Sequence, residues 1–482
     1  MEENYKLRFY KNINYMDRKQ SNVENKAKND KISKINYNKK VIILFKINII
    51  INIIKDKIKK KSENYKTEYK NKYKNTISNY NSMNFMYILI LSFLFVFLPL
   101  SATNKIISKK RKLKYDSEIK LIIKGEGDQK IIVGGVLPYQ VEVNGDLIDY
   151  PTQTVSLPND DYYNITMRFN TTITTCERMF YSLINLIKVD LSKFDTSQVT
   201  DMKFMFYDCK NLEYINLTNI NTSSVEYMHN LFSGCQNLKD LDLSYFDTSS
   251  TINMASLFYN CASLKSLDLS NFNTKKTTTL NSFLNGCTNL EFIDLSSFDT
   301  TNVESTSCMF KNCKKLTSID LSNFDTTSLT TIGEMFYNCS SLTILDLSNF
   351  KTSKVDNMNN LFNGCYNLLY LNLSNFDTSS VTSMEYMFSY CYSLASLVIN
   401  TFNTSKTVSM KYMFNECKSL TSLNVSNFIT SKVNNMIYMF AYCEKIKSLN
   451  LTNFDVSSVT LMSYMFNGCE DLTILDISNF NP

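Results

Sequence analysis

The chain has 482 residues, 44% apolar and 20% charged, which is ample for a large core and too apolar for a wholly disordered protein. Its 10 glycines and 5 prolines, with no proline between Pro158 and Pro482, exclude collagen-like, proline-rich and glycine-linker classes. A single histidine, His229, and no tryptophan exclude histidine-based triads, acid-base pairs and zinc sites.

The net charge of +6 averages unlike regions: residues 1–83 carry 21 Lys/Arg against 8 Asp/Glu, residues 101–120 carry 7 against 2, and residues 121–482 carry 23 against 35. Residues 1–83 are low-complexity Lys/Asn/Ile/Tyr sequence without a sustained helical or alternating pattern. They read as a disordered tail or as sequence absent from the mature protein, ahead of a lysine arm for nucleic acid or anionic lipid. The apolar run Val41 to Ile54 inside them is too short and too interrupted to span a bilayer.

Residues 84–102 follow, with the uncharged stretch Phe85 to Ala102 (FMYILILSFLFVFLPLSA) between Met83 and Thr103. Its length lies between a signal-peptide core and a membrane span. The readings are a secretory signal starting at Met83, a signal anchor that holds the chain in the membrane, and a buried globular helix. Either of the first two places the downstream chain outside the cytosol, as a secreted or single-pass cell-surface protein.

Residues 103–172 read as a basic linker and a small β-rich cap. Alternation in Glu118 to Lys124, the apolar run Ile131 to Val136, and Tyr139 to Val143 leading into Asn144-Gly145 predict short strands with a tight hairpin. Gly125 and Gly127 mark a turn, because no strand-to-helix phosphate fingerprint follows them.

From residue 173 to 482 one period dominates. Cysteines stand at 209, 235, 261, 287, 313, 339, 365, 391, 417, 443 and 469, always 26 apart, and an earlier unit has Leu183 at the cysteine position. A fixed period of this length indicates stacked supersecondary units. In one unit, Leu371-Asn372-Leu373 alternates as a strand, while Met384, Met387, Phe388 and Cys391 recur as one face of a short helix. The expected fold is therefore an α/β solenoid: a right-handed stack of about twelve units, a parallel sheet on the concave face, short helices on the convex face, and the β-rich cap in front. Its structural core contains the column Phe246, Phe272, Phe298, Phe324, Phe350 and Phe376, and the cysteines Cys209, Cys235, Cys261, Cys313, Cys339, Cys365 and Cys391. Truncating one of these rings should cost about 3–5 kcal/mol.

The Cys-x-x-Leu-x-x-Leu-x-Leu block and the Met-Phe-x-x-Cys end of each unit, over roughly residues 176–482, resemble leucine-rich repeats of the BspA-like or Treponema pallidum type and the related repeats of mycoplasma surface proteins. The resemblance implies a solenoid in exported or cell-surface proteins used for adhesion and recognition. The sequence departs from the usual leucine-rich repeat where Phe replaces the Asn ladder at the ninth position, which bears on the local turn.

Among chemically active residues, the in-register cysteines read as reduced, buried and space-filling, ahead of disulfides, with metal last. Cys176, in the Met column, and the extra Cys308 are expected to be the more reactive thiols. No cofactor or metal is expected. The outward position of Leu-x-Leu stacks Asp242, Asp268, Asp294, Asp320 and Asp346, read as solvated carboxylates first and as a cation or basic-ligand site second. Two residues earlier the same face changes identity freely, making Tyr214, Phe292, Ile344 and Tyr370 the candidate partner contacts. Nine Asn-x-Ser/Thr sequons beyond the apolar segment add little in so Asn-rich a chain.

The function these features imply is non-catalytic recognition of a protein or glycan at the cell surface, with membrane contact through residues 85–102 if they are uncleaved. Nucleic acid is not an expected partner. End-to-end self-association at an uncapped C-terminal layer is a further expectation. A structural spacer without a ligand is the alternative, and an enzyme is disfavoured, since Asp128, Glu142, Asp146 and Asp149 have no catalytic spacing.

Overall fold

The computed structural model describes residues 117–148 and 152–480. Residues 1–83, the apolar segment 84–102 and the stretch up to residue 116 lie outside the described residues. Among those described, no helix is long and apolar enough to cross a membrane.

Strand β1 (Ser117–Lys130) buries Ile119, Leu121 and Ile123 and exposes Lys120 and Lys124, as its alternation requires. Strands β2 (Gln140–Val143) and β3 (Asp146–Ile148) are joined by Asn144-Gly145, whose φ angles of 50° and 93° suit a primed hairpin turn. The run Ile131 to Val136 is not a strand. Ile131 donates instead to the Gln153 carbonyl at 2.9 Å and Val133 to that of Met179 at 2.8 Å, which ties the run to the first repeat. Strand β4 (Thr154–Phe169) pairs antiparallel with β1 and β2, and β5 (Leu186–Lys193) pairs antiparallel with β1 and parallel with β6 (Tyr214–Asn216). One sheet, ordered β3-β2-β4-β1-β5-β6, thus passes without a break from antiparallel hairpins into the parallel array.

The array is a repeat solenoid. Leu-x-Leu triplets pair side by side and parallel in β5/β6, in β7 (Ile344–Asp346) with β8 (Tyr370–Asn372), and in β9 (Ser448–Asn450) with β10 (Ile474–Asp476). The unbroken ladder runs elsewhere. Single parallel bridges link Thr175, Asp201, Tyr227 and so on at every layer to Leu461, just before the position that is Met in most units.

The short helices expected on the opposite face are not there: the described residues contain no helix. In Met384 to Cys391 the N–H groups of Met387, Ser389 and Cys391 turn back three residues, at 3.3, 3.1 and 3.2 Å. Those of Met384, Tyr386, Phe388 and Tyr390 reach the carbonyls of Ser409, Lys411, Met413 and Asn415 in the next layer, at 2.8–3.1 Å. A helix would close all of these within one segment and leave nothing to hold layers together. Two residues per unit are left-handed, in the columns of Tyr386 (φ 57°) and Tyr390 (φ 60°), which an α-helix does not permit. The column before each cysteine holds Asp208, Gly234, Asn260, Gly286, Asn312, Asn338 and Gly364, residue types that tolerate this conformation. At Gly286 a Cβ would also stand 2.3 Å from Asn260 Oδ1.

Inside, the Phe246-to-Phe376 column is buried, with rings of Phe272/Phe298 and Phe350/Phe376 stacked at 6.3 Å. A tighter stack comes from the Met-Phe end: Phe310, Phe336, Phe362, Phe388, Phe414, Phe440 and Phe466 follow at 5.5–5.9 Å, tilted by no more than 17°. Where Leu284 interrupts it, Phe283 turns edge-on to Phe258 at 5.3 Å. The amide ladder displaced by Phe is supplied one residue earlier. Asn323 Nδ2 donates to the Leu295 and Phe298 carbonyls, both at 3.0 Å, and Asn349 does the same one layer on.

Two further columns answer backbone groups across layers. The buried threonines at 26-residue intervals from Thr196 to Thr430 each donate to a carbonyl 25 residues on; Thr352 Oγ1 donates to the Asp377 carbonyl at 2.8 Å and accepts the Asp377 N–H at 2.9 Å. Each ladder cysteine donates its thiol to the carbonyl 29 residues back, as Cys391 does to Phe362 at 3.3 Å. Leu183 stands at the cysteine position of the first unit, which has no earlier repeat to supply such a carbonyl. All thirteen cysteines are free thiols. Cys176, expected to be reactive, is fully buried in the Met column, and burial drives its pKa far up; Cys308 is only partly exposed, and burial raises it too.

Thr352→Val removes both bonds to Asp377 without loss of volume and should destabilise the chain by about 1–3 kcal/mol in denaturant titration; an unchanged midpoint would refute the ladder's role. Native labelling with iodoacetamide should be confined to the partly exposed Cys308 and Cys469. Because burial raises Cys287 and Cys365 to about 12, the stability their neutral forms provide is full below the unfolded value near 8.5 and is lost progressively above it.

Candidate functional site

The Leu-x-Leu rows turn Leu345 and Leu371 inward and leave the residues on either side outward. All four candidate contacts are exposed: Tyr214 by 52%, Phe292 by 63%, Ile344 by 57% and Tyr370 by 52%. The structure brings only two of them together. Ile344 and Tyr370 are directly paired in β7/β8, whereas Tyr214 begins β6 beside Lys188, and Phe292 stands between Ser266 and Ser318 of the adjoining units.

Leu369, 62% exposed, directly precedes Tyr370, and Val398, 64% exposed, stands one layer on at the column position of Asn372. Sequence reasoning passed over both. Val398 is the one apolar residue in an outward column otherwise filled by Asp and Asn, and that exception was the available signal. A second row it passed over is Tyr386, Tyr412, Tyr438 and Tyr464, recurring as Tyr-Met-Phe and stacked at 4.7–4.9 Å with Lys411 over the first two rings. Their faces are consumed by one another, which makes the row a brace for the layers rather than a platform.

The aspartates have a folding duty. Asp242, Asp268, Asp294, Asp320 and Asp346 are exposed, and each Oδ1 accepts the N–H of the serine two residues on at 2.9–3.0 Å. These serine bonds hold the carboxyls of Asp242, Asp268, Asp294 and Asp320 below the ordinary range. The contribution is therefore present above the unfolded value near 3.9 and is lost as pH falls below it. Among the described residues all three parallel strand pairs set a carboxylate beside an amide, Asp190/Asn216, Asp346/Asn372 and Asn450/Asp476, and Asn216 Nδ2 donates to Asp190 at 3.1 Å. None falls between two aspartates, as like charges directly opposite each other disfavour pairing. Among the described residues no three of His, Cys, Asp or Glu converge to hold a metal.

The double substitution Asp268→Asn with Asp320→Asn keeps each Oδ1 acceptor and removes the like-charge neighbours of Asp294. Its thermal midpoint should rise at low ionic strength, and the gain should shrink in high salt; an unchanged or lower midpoint in both would remove repulsion as the cause of the broken strands.

The family described as "Mycoplasma protein of unknown function, DUF285" matches residues 163–266, 227–344, 253–369, 330–428 and 418–482. Among solved structures, a leucine-rich repeat protein from Bacteroides ovatus is 18% identical, with 64% of this chain and 77% of that chain covered and a TM-score of 0.39. One from Eubacterium ventriosum is 21% identical, over 61% of this chain and 80% of that chain, with a TM-score of 0.37. No curated protein sequence matches significantly. With its 26-residue layers matched over well more than half its length, and in keeping with the resemblance carried by the Cys-x-x-Leu blocks, the chain belongs to the DUF285 family of mycoplasma repeat proteins.

Proposed function

We propose that the chain is a cell-surface recognition protein without catalysis, and that its array binds a protein partner through the Leu-x-Leu face. The observation that carries this reading is the directly paired Ile344 and Tyr370, with Leu369 just before Tyr370 and Val398 in the next layer, all four more than half exposed. The neighbouring columns are committed to layer bonds, so these four side chains contribute nothing visible to the stack. Exposed apolar groups in adjoining layers with polar neighbours, here Asp346, Asn372 and Asn424, suit the core of a small interface. The uncharged segment 85–102 supports export or anchoring ahead of the array. The spacer reading draws support from the Asp column, whose serine bonds show that conspicuous outward residues can serve the fold alone.

The test is Ile344→Ser combined with Tyr370→Ala, assayed for attachment of the full chain to cultured cells and extracellular matrix. Recognition through this cluster predicts attachment reduced by about tenfold or more with the thermal midpoint retained. Undiminished attachment by a folded variant would reject the cluster and favour the spacer.

A further inference from the structure

The sheet that joins cap to array carries a depression of about 260 Å³ on its outward face. Its floor is Ile122 of β1, half-buried between the inward Leu121 and Ile123. Cross-strand neighbours of Ile122 are Asn164 on β4 and Lys188 on β5, and Lys188 is in turn paired with Tyr214 on β6. Lys120 and Asp190, directly opposite each other, complete the wall.

We infer that this depression binds a saccharide unit bearing a carboxylate. The reading shares with the proposed function only the idea of recognition, and rests on different side chains.

Three features select that chemistry. The volume is under the roughly 300–1,000 Å³ of sites that enclose drug-sized ligands, which suits one ring-sized terminal group. The ammonium of Lys188 is exposed and makes no ion pair among the described residues, while Lys120 shares Glu118, at 3.6 Å, with Arg168 and Lys193. Cations therefore prevail here, whereas the five-aspartate run farther along the same face repels an acid. Asp190 supplies the third feature. Partial burial opposes its ionisation, but bonds from Ser192 and Asn216 outweigh that and keep the carboxyl below its ordinary range. A fixed carboxylate wants a hydroxyl donor, and the unpaired ammonium of Lys188, two residues away on the same strand, wants an anion. A hydroxylated ring acid satisfies both, with the amide of Asn164 for a second hydroxyl and the Tyr214 ring and Ile122 against its C–H face. An acidic peptide satisfies the lysine and is repelled by Asp190.

The experiment uses the full chain made in a bacterial host, because Asn164 opens the sequon Asn164-Ile165-Thr166 and a glycan there would fill the depression. Calorimetric titration compares digalacturonate, its neutral dimethyl ester, and an acetylated Asp-Glu dipeptide. Digalacturonate is expected to bind with a Kd of about 1 mM or tighter and at least about tenfold better than either control. Lys188→Ala should weaken it by about tenfold, Lys188→Arg should retain it within a few-fold, and Ile344→Ser with Tyr370→Ala should leave it unchanged. Equal binding of the ester or the dipeptide, no binding of digalacturonate, or a folded Lys188→Ala chain that binds normally would overturn the inference. Loss of cell attachment in the Ile344/Tyr370 variant, with digalacturonate binding intact, would separate the two proposals.

Discussion

The structure depends on backbone groups being answered by the next layer. In each unit, alternate N–H groups between the Met and the Cys close tight turns, and the others reach across to the following repeat. A single unit would leave that second set unsatisfied, at a cost comparable to the bonds themselves, so the layers are stable only as a stack. The strict period is a consequence. One inserted residue would shift every later carbonyl off its donor, and would also misplace the threonine and thiol bonds set at 25 and 29 residues. Apolar burial supplies most of the driving force, and the interlayer bonds supply the register.

The same constraint explains what the sequence made legible. Leu, Phe, Met and Cys columns were readable because inward residues must repeat their volume at every layer, and those columns are buried through most of the array, opening at the last unit, where Met462 is exposed and Cys469 and Leu475 are only partly buried. The turns were not. Spacing of i, i+3, i+4 and i+7 is the signature of a helical face, and a succession of tight turns places Met384, Met387, Phe388 and Cys391 inward at the same spacing. What distinguishes the two is the left-handed residue before each cysteine, marked by Gly, Asn or Asp in most of the first eight units and hidden later by Tyr390, Glu416 and Tyr442. Tertiary hydrogen bonding there overrides local preference, since tyrosine gains nothing from φ near 60° by itself.

At the candidate site, exposure of Tyr214, Phe292, Ile344 and Tyr370 followed from alternation alone, because Leu-x-Leu fixes which side chains point out. Grouping did not follow. Column position says that two residues share a face, and only the layer number says whether they touch; Ile344 and Tyr370 are consecutive, while Phe292 has serine neighbours above and below. The depression beside Tyr214 was out of reach for another reason. It is assembled from β4, β1, β5 and β6, and the antiparallel pairing of β1 with β5 that joins cap to array has no periodic signal in the chain.

A stack of this kind confines specificity to very few positions. Inward columns are set by volume, threonine and thiol columns by carbonyls of neighbouring layers, and the outward Asp/Asn column by the serine N–H two residues on. The column of Tyr214, Ile344 and Tyr370 escapes all of these, and so does the sheet edge where the cap is attached. On the proposed reading, discrimination between ligands would be written there, one residue per layer, along an axis that advances by about 4.8 Å at each step. Tyr214 and Ile344 are five layers apart, roughly 24 Å at that spacing, which is farther than one sugar ring reaches. On the two proposals above, the cationic depression and the exposed apolar residues would therefore act as separate contacts, and a single partner would engage both only if it were elongated along the stack.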